Sequence, residues 1–268
     1  MMKEFLAICQ SIAASLLVGI GFVLTRRSYA IKMSEAHKRV EWMFGTVFSI
    51  FGFLCTIGAT AVLSALQISL LSNVTLLTVW YLSPPFCGCT PPTVRLKRAT
   101  IVSCAISLLM VAATSTWTRV PITQSQLTSS ARATFLCIFI HLVFGVTIYR
   151  WPRLESFIIL LASLSACSGI VVADMMLTSF APLAIVFVVI LSGACLVLFQ
   201  LCVSLHSLVR AIVLFYPTQQ AITFFLSLVV AVDIAALSAF DLVASSILLL
   251  SLGFAMHVQY QEIGSSKD

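Results

Sequence analysis

The chain has 268 residues, of which 60% are hydrophobic and only 9% charged, and its mean hydropathy is +1.11. A soluble domain carries about 25% charged residues, so this composition excludes one and calls for a hydrocarbon solvent, where each segment satisfies its own backbone polar groups. The formal charge of +6 comes from 15 Lys+Arg against 9 Asp+Glu; with no basic stripe or stacking platform it does not point to nucleic acid.

A membrane β-barrel would show apolar and polar residues alternating over stretches of about 10 residues. Here the apolar runs do not alternate, and they last the roughly 20 residues that a helix needs to cross about 30 Å. The expected fold class is therefore all-α, a polytopic bundle of about nine transmembrane helices in a single domain over 1–268. Nine cysteines are scattered, most of them inside apolar runs, as small buried side chains rather than a disulfide framework. Cys87 and Cys89, the one close pair, lack metal-ligand spacing.

The first apolar run, 5–24, follows Lys3 and Glu4 and reads as a retained span, because it has no clear small-residue cleavage site. A polar stretch, 25–41, carries Arg26, Arg27, Lys32, Lys38 and Arg39. The second span is expected at 42–66, then a tight turn at 67–73 and a third span to 86. Pro84, Pro85, Pro91 and Pro92 mark a loop that interrupts any continuous helix, closed by Arg95, Lys97 and Arg98. The fourth span is 99–117. A linker rich in Ser, Thr and Gln, 118–132, divides the halves. The second half reads as spans at 133–149, 157–176, from 179–182 to 204, 211–232 and 240–258, with a polar tail at 259–268.

Loop charges orient these spans. Nine spans place 12 Lys and Arg on one side and three, Lys3, Arg119 and Arg132, on the other. Basic residues concentrate in cytoplasmic loops, so the N-terminus is expected outside or lumenal and the C-terminus in the cytosol. Which membrane holds the chain is open, as is its oligomeric state, a homo-oligomer included. Asn73-Val74-Thr75 is a glycosylation sequon on the outer side, but Asn73 sits in a tight turn against the membrane, where a structural role is the simpler account.

Ionisable groups at membrane depth mark functional sites by default. Asp174, Asp233 and Asp241 fall near outer helix ends and are candidates for an acidic vestibule that attracts cations, or for interfacial carboxylates that stabilise helix termini. His141 and His206 read as packing histidines. Thr56 and Gln200 are polar groups in long spans, suited to a substrate cavity or to interhelical hydrogen bonds. No catalytic constellation appears: HExxH, GxSxG and Walker A loops are all missing. No enzyme and no cofactor is expected, and no metal ligand set can be named.

A weak internal repeat relates the halves, about 5–117 and 133–258, as four plus five helices. The stretch 63–73, feeding a helix and then 95–113, has a counterpart in 207–217, feeding the eighth span and then 240–256. Interrupted helices in matching places of two halves point to a midplane binding site. This layout resembles the drug/metabolite transporter superfamily, and within it the NIPA-like magnesium transporters. The resemblance rests on 15–27 as a first helix with a basic exit, 42–82 as a helix pair, 95–113 as a closing helix, and 182–217 with Gln200. In that family's pattern Thr56 stands where an acidic residue is found, Ser72-Asn73 replaces a Thr-Pro, and Tyr216-Pro217 keeps the proline. The resemblance implies a membrane transporter of magnesium or another divalent cation. Thr56 and Gln200 would line its cavity, and Asn73 and Pro217 would mark helix breaks. The partners implied are membrane lipid and a small cation or metabolite. Because Mg²⁺ favours carboxylate oxygens, a small organic solute is the alternative substrate, and a non-transporting membrane scaffold is the alternative class.

Overall fold

The computed structural model describes residues 2–88, 91, 93–113 and 182–205, together with 212, 215, 216 and 219. The described residues form six α-helices and no strand: α1 Met2–Ala30, α2 Glu35–Ala59, α3 Ala65–Leu71, α4 Asn73–Cys87, α5 Val94–Ala113 and α6 Pro182–Leu205. Of these, α1 and α2 are long and apolar enough to cross a membrane.

The helices α1 and α2 pack antiparallel, and both place small residues inward at alternating steps of four and three. On α1 the buried positions include Ala7, Ser11, Ala14, Gly21, Thr25 and Ser28; on α2 they are Gly45, Ser49, Gly52 and Ala59. The glycines bring the backbones together. A Cβ on Gly21 would stand 2.7 Å from the Gly45 carbonyl oxygen, and one on Gly52 would stand 2.8 Å from the Ala14 oxygen. The large apolar residues of α2 face outward instead: Val40, Phe44, Val47, Phe51 and Leu54 are all exposed. Small side chains within and bulky apolar ones without is the arrangement of helices that associate in lipid, where close packing and interhelical hydrogen bonds replace the hydrophobic drive.

The polar stretch expected at 25–41 is mostly helical. α1 continues to Ala30 and α2 starts at Glu35, leaving only 31–34 between them. Arg and Lys are good helix formers, and Ser34 caps α2 by accepting from the His37 amide. The Arg27 guanidinium, 3.4 Å from the Glu41 carboxylate, ties the two helix ends together and lies 5.7 Å over the Phe86 ring.

The second helix stops at Ala59 rather than at 66. The turn expected at 67–73 lies earlier, at 60–64, because Ser64 and Gln67 form a reciprocal capping box that opens α3. Helix α3 then breaks at Ser72, and α4 begins at Asn73. It runs alongside α1, where a Cβ on Gly19 would meet the Thr78 side chain at 2.7 Å and the Thr75 hydroxyl donates to the Ser15 carbonyl at 3.0 Å. Pro84 and Pro85 lie in the last turn of α4, where each removes an amide donor to the preceding turn, and the helix stops within three residues. The helix ends at Gly88, whose φ of 64° closes it with a bond from its amide to the Pro84 carbonyl.

Helix α6, described over Pro182–Leu205, falls in the seventh span expected from 179–182 to 204. Its Phe199 ring stacks on Phe22 of α1, with centroids 4.0 Å apart. Phe215 and Tyr216 extend this aromatic group, which belongs to a core with Val79, Trp80 and Leu96.

Candidate functional site

The inner faces of α1, α2, α4 and α6 do not close completely. They leave a cavity of about 350 Å³, to which α3 and residues 215, 216 and 219 also contribute. That is the lower end of the range of small-molecule sites, about 300–1,000 Å³. Its walls alternate aromatic or aliphatic surface, including Phe22, Phe53 and Phe199, with hydroxyls, among them Ser15, Ser49, Thr56, Thr75 and Ser192. Among the described lining residues there is no Asp, Glu, Lys, Arg or His.

The helices hold these hydroxyls in fixed directions. Ser49 donates to the Gly45 carbonyl at 2.9 Å, Thr56 to Gly52 at 3.0 Å, and Ser192 to Val188. Each is a bond to the preceding turn, the usual recourse of Ser and Thr in an apolar helix. Ser15 reaches both Ser11 and Leu71, and Thr75 reaches Ser15, so two of them also tie α1 to the broken α3–α4 span. Ile50 and Leu54 of α2 and Val189 of α6 line the cavity and are at the same time exposed, which puts its more open wall between those two helices.

Of the four cavity candidates read from the sequence, Thr56 lines the cavity. Gln200 is half-buried one residue beyond the lining Phe199, and its amide donates to the Thr46 hydroxyl at 3.0 Å, joining α6 to α2. Asn73 is the first residue of α4 and is buried against α5, where its amide donates to Ser107 at 2.8 Å and its carbonyl accepts from the Cys104 thiol at 3.5 Å. The helix break beside it belongs to Ser72. Pro217, Asp174, Asp233 and Asp241 lie outside the described residues, as do His141 and His206.

Single-residue reading passed over Ser15, Ser49, Thr75 and Ser192. The signal for the first two was present: Ser11, Ser15 and Gly21 on α1, and Gly45, Ser49 and Gly52 on α2, fall on one helical face each. Thr75 and Ser192 carried no such mark. Among the described residues, no group of three His, Cys, Asp or Glu could hold a metal ion. Cys87 is buried and donates to the Val23 carbonyl at 3.5 Å, while Cys89 lies outside the described residues.

No protein-family model matches the chain, and neither a curated protein nor a solved structure is similar to it. The described residues form an all-helical arrangement in which two helices are long and apolar enough to cross a membrane, with a hydroxyl-studded apolar cavity among them.

Proposed function

We propose that the chain is a multi-pass membrane carrier of the drug/metabolite type that moves a small organic solute through the cavity between its helices. In this reading about nine spans form half-repeats of four and five, with the N-terminus outside and the C-terminus in the cytosol. The division of 12 basic residues against three supports that orientation. The approach of the ends of α1, α2 and α4 around Arg27, Glu41 and Phe86 supports the alternation of crossings, since two consecutive crossings return the chain to the same side.

The observation that carries the choice of substrate is the cavity lining. A magnesium ion is held through carboxylates and retained waters, and the described lining offers hydroxyls and aromatic faces without a carboxylate. An organic solute of modest size matches both the volume and the walls. The acidic candidates Asp174, Asp233 and Asp241 would then serve at helix ends rather than in the cavity.

The test is counterflow in proteoliposomes holding the full chain, with a labelled panel of nucleosides, sugars, aromatic alcohols and magnesium. Saturable counterflow of an organic member is expected. Gly193→Trp should abolish it without lowering Tm, because a Cβ at Gly193 meets nothing within 4 Å and the indole would fill the cavity that Gly193 lines. Flux of magnesium alone would return the assignment to the cation. Wild-type flux in the Gly193→Trp protein would remove the cavity from the pathway.

A further inference from the structure

We infer that the cavity selects an uncharged solute that donates hydrogen bonds, an N–H or O–H carried on an aromatic or aliphatic body. This names the substrate class of the carrier reading above and rests on it for transport, though not for binding.

A hydroxyl has one hydrogen to donate and two lone pairs to offer. In six of the lining groups that hydrogen already points at a backbone carbonyl. Ser15, Ser49, Thr56 and Thr75 lie 2.9–3.0 Å from their acceptors, Ser72 lies 2.6 Å from the Ser69 oxygen, and Ser192 contacts Val188. What these six present to the cavity is therefore lone pairs. Ser11, Cys195, Gln219 and Tyr216, the last hydrogen-bonded to Thr75, complete the described polar lining, so six of its ten polar groups direct their hydrogen at a backbone carbonyl.

A solute that brings only acceptors would set its oxygens against those lone pairs, or would have to draw hydroxyls away from their carbonyls. One that brings an N–H or O–H finds acceptors already in place and rearranges nothing. Charge is selected against as well. Moving an ion out of water is costly unless a counter-charge meets it, and the described lining supplies no such charge. The aromatic faces of Phe22, Phe53 and Phe199 suit a flat apolar body. The exposed side chains Ile50, Leu54 and Val189 on the more open wall make a lipophilic entry.

The experiment compares indole with N-methylindole, which keeps the ring and loses the donor, and with benzoate, which brings acceptors and charge. Affinities are read by calorimetric titration of the purified full chain in detergent. Indole is expected to bind about tenfold more tightly than N-methylindole, the factor that one hydrogen bond supplies. Thr56→Val should reduce indole affinity two- to tenfold and leave N-methylindole affinity unchanged, and Thr56→Ser should restore it. Equal or tighter binding of N-methylindole or benzoate overturns the inference, as does the absence of saturable indole binding. Loss of binding for both indoles in Thr56→Val, with Tm retained, overturns it too. Indole binding by a protein that gives no counterflow of any solute overturns the carrier reading alone and leaves donor selectivity standing.

Discussion

The Gln200 carboxamide of α6 donates to the Thr46 hydroxyl of α2 across 3.0 Å, joining residues 154 positions apart in the chain. Thr46 in turn lies 2.9 Å from the Trp42 carbonyl of its own helix, which fixes the hydroxyl as an acceptor for the amide. Interhelical bonds of this kind in membranes contribute about 0.6 kcal/mol on average and up to about 1.7. A double-mutant cycle on Gln200→Leu and Thr46→Val is expected to show coupling within that range. The measurement is unfolding in mixed micelles, and strictly additive single losses would show that the bond does not hold α6 on α2.

Glycine at 21 is required by proximity. Gly21→Ala places a methyl 2.7 Å from the Gly45 oxygen, so the helix pair must separate. Overpacking of this kind costs about 1–3 kcal/mol. Gly193→Ala, inside α6 with open space around its Cβ, should not lower stability and should raise it by up to about 1 kcal/mol. Tm values of the two variants in the same detergent check the contrast.

Asn73 is predicted to carry no glycan although it opens a sequon. Its amide nitrogen, the atom that glycosylation would take, is buried and bonded to Ser107. The intact mass of protein from a glycosylating host should not change on endoglycosidase treatment. Asn73→Ala should instead destabilise the α4–α5 contact by about 1–3 kcal/mol, because it leaves a buried hydroxyl without its donor.

The Arg27–Glu41 pair should matter little to stability. Both side chains keep contact with solvent, at 33% and 16% exposure, and ion pairs of that kind contribute about 0–1 kcal/mol. Glu41→Gln is expected to lower stability within that range at low salt and by less at high salt. A salt-independent loss above the range would mean that Arg27 positions Phe86 and the end of α4 rather than simply pairing.

Composition and run length were enough to read the helices of the described residues and the spans at the start of the chain, and the seventh span, expected from 179–182 onward, contains α6. Helix ends near charge were harder. Arg26, Arg27, Lys38 and Arg39 look like loop by hydropathy, yet they are helix formers and sit within the last two turns of α1 and the first two of α2. Pro84 and Pro85 do mark where the helix ends, but α4 carries them in its last turn and stops at Cys87. The capping box at Ser64 and Gln67 was visible in the spacing and would have moved the turn to 60–64. The cavity was legible only in part. Thr56 stood out as a polar residue in a long span, whereas Thr75 and Ser192 became lining through the crossing of helices distant in sequence. Gln200 stood out for the same reason as Thr56, and Asn73 as a turn residue, but their partners, Thr46 and Ser107, were fixed by tertiary packing.

The inward small residues and outward bulky ones of α1 and α2 have a calorimetric consequence. The heat-capacity change of unfolding measures the apolar surface newly given to water. Here Val47, Phe51 and Leu54 already face the apolar surroundings in the folded pair, and the contact between the helices is made by Gly21, Gly45, Ser49 and Gly52. Separating the helices within a bilayer or micelle exposes mainly glycine, hydroxyl and backbone to lipid. A thermal transition of this protein in detergent should therefore be nearly free of the curvature with temperature that marks soluble proteins, and it should show no cold-labile branch.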